Sequence, residues 1–205
     1  MKKWVLTPEK FLKEEEVKRF RSFLEEKAIV AIAKRQKKPI RDWGIIDIAM
    51  SAGLRASEIG NLKVKDIYAG KGESALLVFK GKGKRSRLVV LGEKLKRHLK
   101  DFLSWKQETG QPCQADDYLF QSERSPKMSL SAIEKRFKCW AKAAGLPSHY
   151  SIHSMRHTYG TTLYRNTKDL RMVQKQLGHS SCKITEVYAD VLREDVEKAL
   201  NTLYA

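Results

Sequence analysis

Five short stretches carry side chains able to act together on one anionic group. They are Gly-Leu-Arg-Ala-Ser-Glu at 53–58, Gly-Lys-Gly-Lys at 81–84, His-Ser-Met-Arg-His at 153–157, Leu-Gly-His at 177–179, and Tyr188. A phosphodiester resists attack because its anionic oxygens repel nucleophiles. A catalyst must neutralise charge on the non-bridging oxygens, align a nucleophile and protonate the leaving oxygen. Arg55 and Arg156 suit the first task, since a guanidinium stays charged and grips two oxygens in one plane. His153 stands one helical turn before Arg156 and would point the same way. His179 offers another donor or a proton acceptor. Lys82 could protonate a leaving 5′-oxygen as a general acid. Tyr188 is the candidate nucleophile. Its phenol, with an ordinary pKa of about 10, is weak at neutral pH, and nearby cations are expected to favour the phenolate. A phosphotyrosine conserves the energy of the broken bond, so rejoining needs no nucleotide triphosphate. The sequence contains no Gly-x-x-x-x-Gly-Lys-Ser/Thr loop. Arginine and lysine supply the positive charge, so no metal and no cofactor is expected.

The elements that must position these residues read as mostly helical. Leu12 to Lys27 places Val17, Phe20 and Leu24 on one face of a helix. A basic stretch, Lys34 to Lys38, ends at Pro39, which suits a helix boundary. Trp43, Ile46 and Met50 mark an apolar helix that stops at Ser51-Ala52-Gly53. Ala56 to Leu62 is a short helix beginning just past Arg55. Ala75–Phe79 and Leu88–Leu91 read as strands, with residues 81–84 as the turn of a hairpin. Glu93 to Gln107 is a helix with Leu95, Leu99 and Phe102 inward. Tyr118-Leu119-Phe120 reads as a short strand. Ser131-Ala132-Ile133-Glu134 has the form of a capping box near a helix start. Further helices are expected near His153–Arg165, Asp169–Leu177 and Ser181–Tyr188. Leu192, Val196, Leu200 and Leu203 form one apolar stripe in the tail. The expected fold class is mostly α with a small antiparallel β-sheet, an α+β domain.

Composition narrows the partner. The 205 residues suffice for one large domain, and Lys+Arg number 41 against 24 Asp+Glu, a net charge of +17. Such an excess repels itself unless an anionic partner absorbs it, and nucleic acid is the usual one. No apolar run reaches the roughly 18 residues of a membrane span, and the first residues lack the apolar core of a signal peptide. Cys113, Cys139 and Cys182 are odd in number and far apart, which fits reduced thiols in a cytoplasm.

Plainer roles compete with the chemical ones. Arg55 alone would suit a surface or a cap. Lys80 and Lys84 share the basic hairpin with Lys82. His153 and His157 sit four apart, as in helical zinc sites, but without a third strong ligand between them. His157 reads as a supporting residue. Tyr159 and Tyr164 read as packing tyrosines, and Trp43 and Trp140 as core. Lys34–Lys38 and Lys82–Arg87 are either solvated faces or phosphate contacts, and the net charge favours contact for at least one of them.

In these stretches the chain resembles the catalytic domain of the tyrosine recombinase (phage integrase) family. That family places an arginine in Gly-Leu-Arg-x-Ser-Glu, here 53–58. It places a lysine in a Gly-Lys-Gly turn followed by basic residues, here Gly81-Lys82-Gly83 before Lys84, Arg85 and Arg87. Its His-x-x-Arg-His is 153–157, its Leu-Gly-His is 177–179, and its tyrosine follows nine positions after that histidine, here Tyr188. The resemblance runs from about residue 40 to the end.

It implies the following roles. Arg55, Lys82, His153, Arg156 and His179 activate a DNA phosphate while Tyr188 forms a 3′-phosphotyrosyl link. Glu58 and His157 support them, and Lys84, Arg85 and Arg87 contact DNA. The implied protein is a site-specific recombinase of integration, excision, inversion or resolution, encoded by a prokaryotic cell, phage or mobile element. It would act in the cytoplasm as a homotetramer on paired double-stranded DNA sites with inverted repeats. Without DNA it would be a monomer or weak oligomer, and no membrane is involved.

The whole chain, 1–205, reads as one catalytic domain with a helical lead-in over 1–40 and a tail helix over 190–205 that docks on a neighbouring protomer. The N-terminal DNA-clamping (core-binding) domain of the family is expected to be absent. Two rivals keep the fold: a type IB topoisomerase-like strand transferase, whose family does not normally carry a histidine where His153 stands, and a DNA-binding regulator without catalysis. A metal-dependent transposase or nuclease would need convergent carboxylates, and Asp116-Asp117 are poor candidates.

Overall fold

The computed structural model describes residues 6–67, 75–79 and 86–190. Helix α1 spans Glu14–Ala33, α2 Lys37–Ala52 and α3 Ala56–Asn61. Strands β1 (Ala75–Phe79) and β2 (Ser86–Val90) follow, then α4 (Glu93–Glu108), α5 (Leu130–Ala143), α6 (Ile152–Thr167), α7 (Leu170–Leu177) and α8 (Val187–Asp190).

Helix α2 is the hub. It is apolar almost all round, from Trp43 and Ile45 to Ala52, and such a helix must be enclosed on every side. Helices α1, α3, α4, α5 and α6 pack around it. Pro39 falls in its first turn, where the missing N–H costs nothing. It ends at Gly53, whose left-handed φ of 64° lets the chain turn sharply toward Arg55. Phe20, Phe137, Ile133 and Leu99 complete the main core, each at or near zero exposure.

The two strands pair antiparallel, Ala75 opposite Val90 and Phe79 opposite Ser86. The mostly helical α+β expectation therefore stands. The turn at 81–84 lies outside the described residues, as does the tail stripe from Leu192 to Leu203. On β2, Val89 points into the core while Leu88 and Val90 are about half exposed, at 53% and 54%.

Three local expectations are corrected. Tyr118-Leu119-Phe120 is no strand; only a single bridge joins Tyr118 to Lys63. Leu119 and Phe120 are apolar because they plug the core, at 0% and 1% exposure, and not because of a sheet period. The α5 cap is Ser129, whose Oγ accepts from the Ala132 amide at 3.2 Å, so Ser131 already lies within the helix. The helix expected over Ser181–Tyr188 is split into a 3-10 turn (Cys182–Ile184) and the short α8. The break falls at Thr185, which is fully buried and turned to His179.

The lead-in is part of the fold. The Leu12 amide donates to Thr158 Oγ1 on α6 at 2.9 Å, and Tyr150 Oη donates to Glu16 at 3.0 Å. Leu6 joins Val173, Leu177 and Tyr188 in a second, smaller apolar cluster beside the main core.

Candidate active site

The site forms where four elements end. Arg55 is the N-cap of α3. Glu58, three residues on, accepts from the Arg55 backbone N–H at 2.8 Å and from its Nη1 at 3.1 Å, closing the cap and holding the side chain. Helix α6 contributes His153, Arg156 and His157. Helix α7 stops at Gly178 and leaves His179 just beyond it. Helix α8 carries Tyr188.

Arg156 ties these ends together. Its Nη1 donates to the Gly53 carbonyl at 2.6 Å and its Nη2 to the Leu177 carbonyl at 2.7 Å. It is only 2% exposed and lies 3.9 Å from the Glu58 carboxylate. Burial, and then the Arg55 charge, lower its pKa to about 10, so it stays cationic at neutral pH. Burial also pushes the Glu58 carboxyl up. The hydrogen bonds and charge of Arg87, the Arg55 amide and the Arg156 charge outweigh that, and Glu58 ends below its ordinary value.

A cavity of about 250 Å³ opens over this cluster. Arg55, His153, Arg156, His157, His179 and Tyr188 all line it, beside Ile184 and Val187. The His153 and His157 rings meet edge-on with centroids 4.6 Å apart. Enclosure of the His153 ring, then the Arg156 and Arg55 charges, lower its pKa. Burial takes His157 down to about 3, with His153 and Arg156 adding to the effect, so it is neutral at pH 7. His179 stacks on the Tyr188 ring at 6.1 Å and 7°, and its Nδ1 pairs with Thr185 Oγ1 at 3.1 Å.

Tyr188 is 1% exposed, and its Oη pairs with His157 Nδ1 at 3.3 Å. The expectation that cations would favour the phenolate is corrected here. Arg156 and Arg55 do pull the pKa down, but burial outweighs them and holds it up at about 12. The nucleophile candidate is a protonated phenol, and its proton must leave as it reacts.

The structure thus brings together Arg55, His153, Arg156, His179 and Tyr188, with Glu58 behind the arginines and His157 against the phenol. Lys82, Lys84 and Arg85 lie outside the described residues. Arg87, expected on DNA, is turned inward. Its Nη1 and Nη2 fork onto Glu58 at 2.7 and 3.1 Å, its Nε donates to the Gln176 carbonyl at 3.1 Å, and its side chain is 13% exposed. The family resemblance implied a DNA contact for it, beside its basic neighbours Lys84 and Arg85. The signal that points inward is strand parity: Arg87 shares a face with buried Val89, opposite exposed Leu88 and Val90. A charge on an inward face calls for a buried partner.

Among the described residues, no group of three His, Cys, Asp or Glu side chains could hold a metal ion, and no helix is long and apolar enough to cross a membrane.

The chain is 37% identical over 150 residues to tyrosine recombinase XerC of Proteus mirabilis, covering 73% of this chain and 47% of that protein. It is 35% identical over 156 residues to tyrosine recombinase XerD of the same organism, covering 76% and 49%. The chain therefore spans about half the length of the curated relatives it matches. Among solved structures, XerA recombinase superposes with a TM-score of 0.74 at 28% identity, over 93% of this chain and 64% of that one. XerH site-specific recombinase, solved bound to palindromic difH substrate after cleavage, superposes with a TM-score of 0.75 at 25% identity, over 95% and 53%. The model of the phage integrase family matches residues 10–195, starting about thirty residues before the resemblance read from the motifs. The chain belongs to the phage integrase family.

Proposed function

We propose that this chain is a site-specific DNA recombinase that cuts and rejoins strands through a covalent 3′-phosphotyrosine on Tyr188. One observation carries the reading: Arg55, His153, Arg156 and His179, drawn from separate elements, line a single cavity with the Tyr188 phenol. The two guanidiniums and the imidazoles would bind the non-bridging oxygens of a phosphate and take up charge as it becomes five-coordinate. Tyr188 Oη then bonds to phosphorus and the bond to the 5′-oxygen breaks. The phenolic proton passes to an imidazole as the new bond forms: His179, a candidate proton acceptor, stacks on the phenol ring, and His157 Nδ1 lies 3.3 Å from its oxygen. Lys82, by resemblance to the family, gives a proton to the 5′-oxygen. Strand joining is the reverse reaction with a new 5′-hydroxyl, so no external energy source is required.

The partner is double-stranded DNA, consistent with the net charge of +17. By resemblance, two sites with inverted repeats would be held by a homotetramer in the cytoplasm, with the tail stripe docking between protomers and Lys84 and Arg85 on DNA phosphates.

The test is covalent capture. Wild-type chain mixed with nicked suicide duplexes should form a denaturation-resistant adduct, and Tyr188→Phe should bind DNA but form none. An adduct formed by Tyr188→Phe would overturn the assignment. Binding should weaken with salt: about six to ten neutralised phosphates correspond to a loss of roughly 10³–10⁵ in affinity between about 50 and 200 mM. A flat salt response would contradict the charge argument. Relaxation of supercoiled DNA irrespective of sequence would favour the topoisomerase reading instead.

A further inference from the structure

Arg87 is an ionised side chain, 13% exposed, that the transfer chemistry above does not use. Its side chain reaches Glu58 of the first motif and the end of α7 beside Leu177-Gly178-His179. The fork onto Glu58 grips the carboxylate that holds Arg55, and its Nε reaches the last turn of α7, which presents His179. Its aliphatic stem lies against Gly178. A Cβ built there would come within 2.6 Å of Arg87 Cδ, so the chain closes on the arginine only because that position has no side chain, and its φ of +66° suits glycine as well. Arg87 itself stands on β2, the strand that follows the segment containing Lys82.

We propose that Arg87 is a positioning residue: a buried fork that locks Glu58, and through it Arg55, to the end of α7, so that the phosphate-binding arginines and His179 hold one fixed geometry. This rests on reading the site as a phosphodiester transfer centre. The physical case has two parts. A lone buried carboxylate next to Arg55 would be unstable as an anion, since its burial opposes ionisation. The bidentate arginine keeps it charged and sets its plane, which a lysine's point charge would not. The groups facing Glu58 are Arg55 from its own helix, Arg87 from β2 and Arg156 from α6. Removing Arg87 leaves a carboxyl that protonates more readily and releases Arg55. A misplacement of about 1 Å at such a site costs on the order of 10²-fold in rate.

The experiment compares the full chain with Arg87→Lys and Arg87→Gln. The first readout needs no DNA: the Glu58 side-chain carboxyl is titrated by ¹³C NMR in each folded protein. The expected result is a midpoint below the ordinary glutamate value in wild type, raised in both variants, and more so in Arg87→Gln. The second readout is single-turnover cleavage of the suicide duplex that wild type captures best from a randomised pool. At saturating DNA the rate should fall on the order of 10²-fold in Arg87→Gln, less in Arg87→Lys, with DNA affinity retained. The loss should deepen as pH falls, and adding Glu58→Gln should remove that acid limb.

Unchanged Glu58 midpoints would overturn the proposal. So would a pure loss of affinity, with the salt slope reduced by about 1 and the rate at saturation intact, which is the signature of a phosphate contact. Should Arg87→Gln fail to fold, Arg87→Lys carries both readouts. Should wild type capture no duplex, the transfer reading fails while the Glu58 titration still decides what Arg87 holds.

Discussion

Two regions of this molecule bury charge in opposite ways. On α2 the buried partner is the anion. Asp42 accepts from Arg41, Arg136 and Trp140 Nε1; Asp47 accepts from Ser51, pairs with His98 Nδ1 and forms an ion pair with Arg21, while the arginine partners keep between 14% and 31% of their side chains in contact with solvent. In the candidate site the most enclosed charged group is a cation, Arg156, at 2% against 6% for Glu58. Three guanidiniums, Arg55, Arg87 and Arg156, gather around the single carboxylate of Glu58. The pKa directions agree with the contrast. Burial pushes Asp47 up, yet His98 and Arg21 outweigh it and the carboxylate lies below its ordinary value. For Arg156 burial wins, and the cation is held less firmly than an ordinary arginine. The scaffold satisfies its buried charge internally. The site keeps an excess of positive charge that an incoming phosphate would complete, and stability gives way there to binding.

The largest test of that contrast removes one site cation. Arg55→Gln should reduce single-turnover cleavage by roughly 10²–10³-fold, while its unfolding free energy changes by less than about 1 kcal/mol. Its side chain is 35% exposed and its pairing with Glu58 is only part of that carboxylate's support. A large stability loss with intact cleavage would reverse the roles of the two regions. The counterpart on the scaffold is Asp47→Asn. It should cost about 3 kcal/mol of stability by chemical denaturation, since it strands the Arg21 and His98 partners of a buried carboxylate. Cleavage per folded molecule should be unaffected.

A smaller effect sharpens the picture through pH. His157 has a folded pKa of about 3, below its ordinary 6.5, so the unfolded chain takes up the proton first as pH falls. The stability that neutral His157 contributes is present above its ordinary value and is lost below it, by about 2 kcal/mol at about pH 5. Thermal or urea unfolding of His157→Gln across that range should show a flatter acid limb than wild type. An identical limb would mean that His157 is solvated rather than enclosed against Tyr188.

Much of this was legible in the residues. Helix α2 was legible because Trp43, Ile46 and Met50 recur at helical spacing before Gly53, and α3 as a short helix beginning just past Arg55. The motif residues converge where their spacings suggested, since Arg156 is bonded to both Gly53 and Leu177. Other features depend on packing that no local pattern encodes. The protonated state of Tyr188 follows from its enclosure by Leu6 of the lead-in and by Val173 and Leu177 of α7, segments far apart in the chain. The apparent strand at 118–120 was misread because core plugs and strands are both apolar. For Arg87 the resemblance implied DNA, and the alternation of β2 is the local signal that turns it toward Glu58.

The central claim is that one phenol, held within a cationic cavity, becomes joined to DNA. Wild-type chain should be incubated with a randomised pool of nicked suicide duplexes, the covalent complexes isolated under denaturing conditions, and the attached peptide identified by mass spectrometry. The account predicts a 3′-phosphoryl group on Tyr188 and nowhere else. Attachment at Tyr159 or Tyr164, or no covalent complex from a folded, DNA-binding chain, would contradict it.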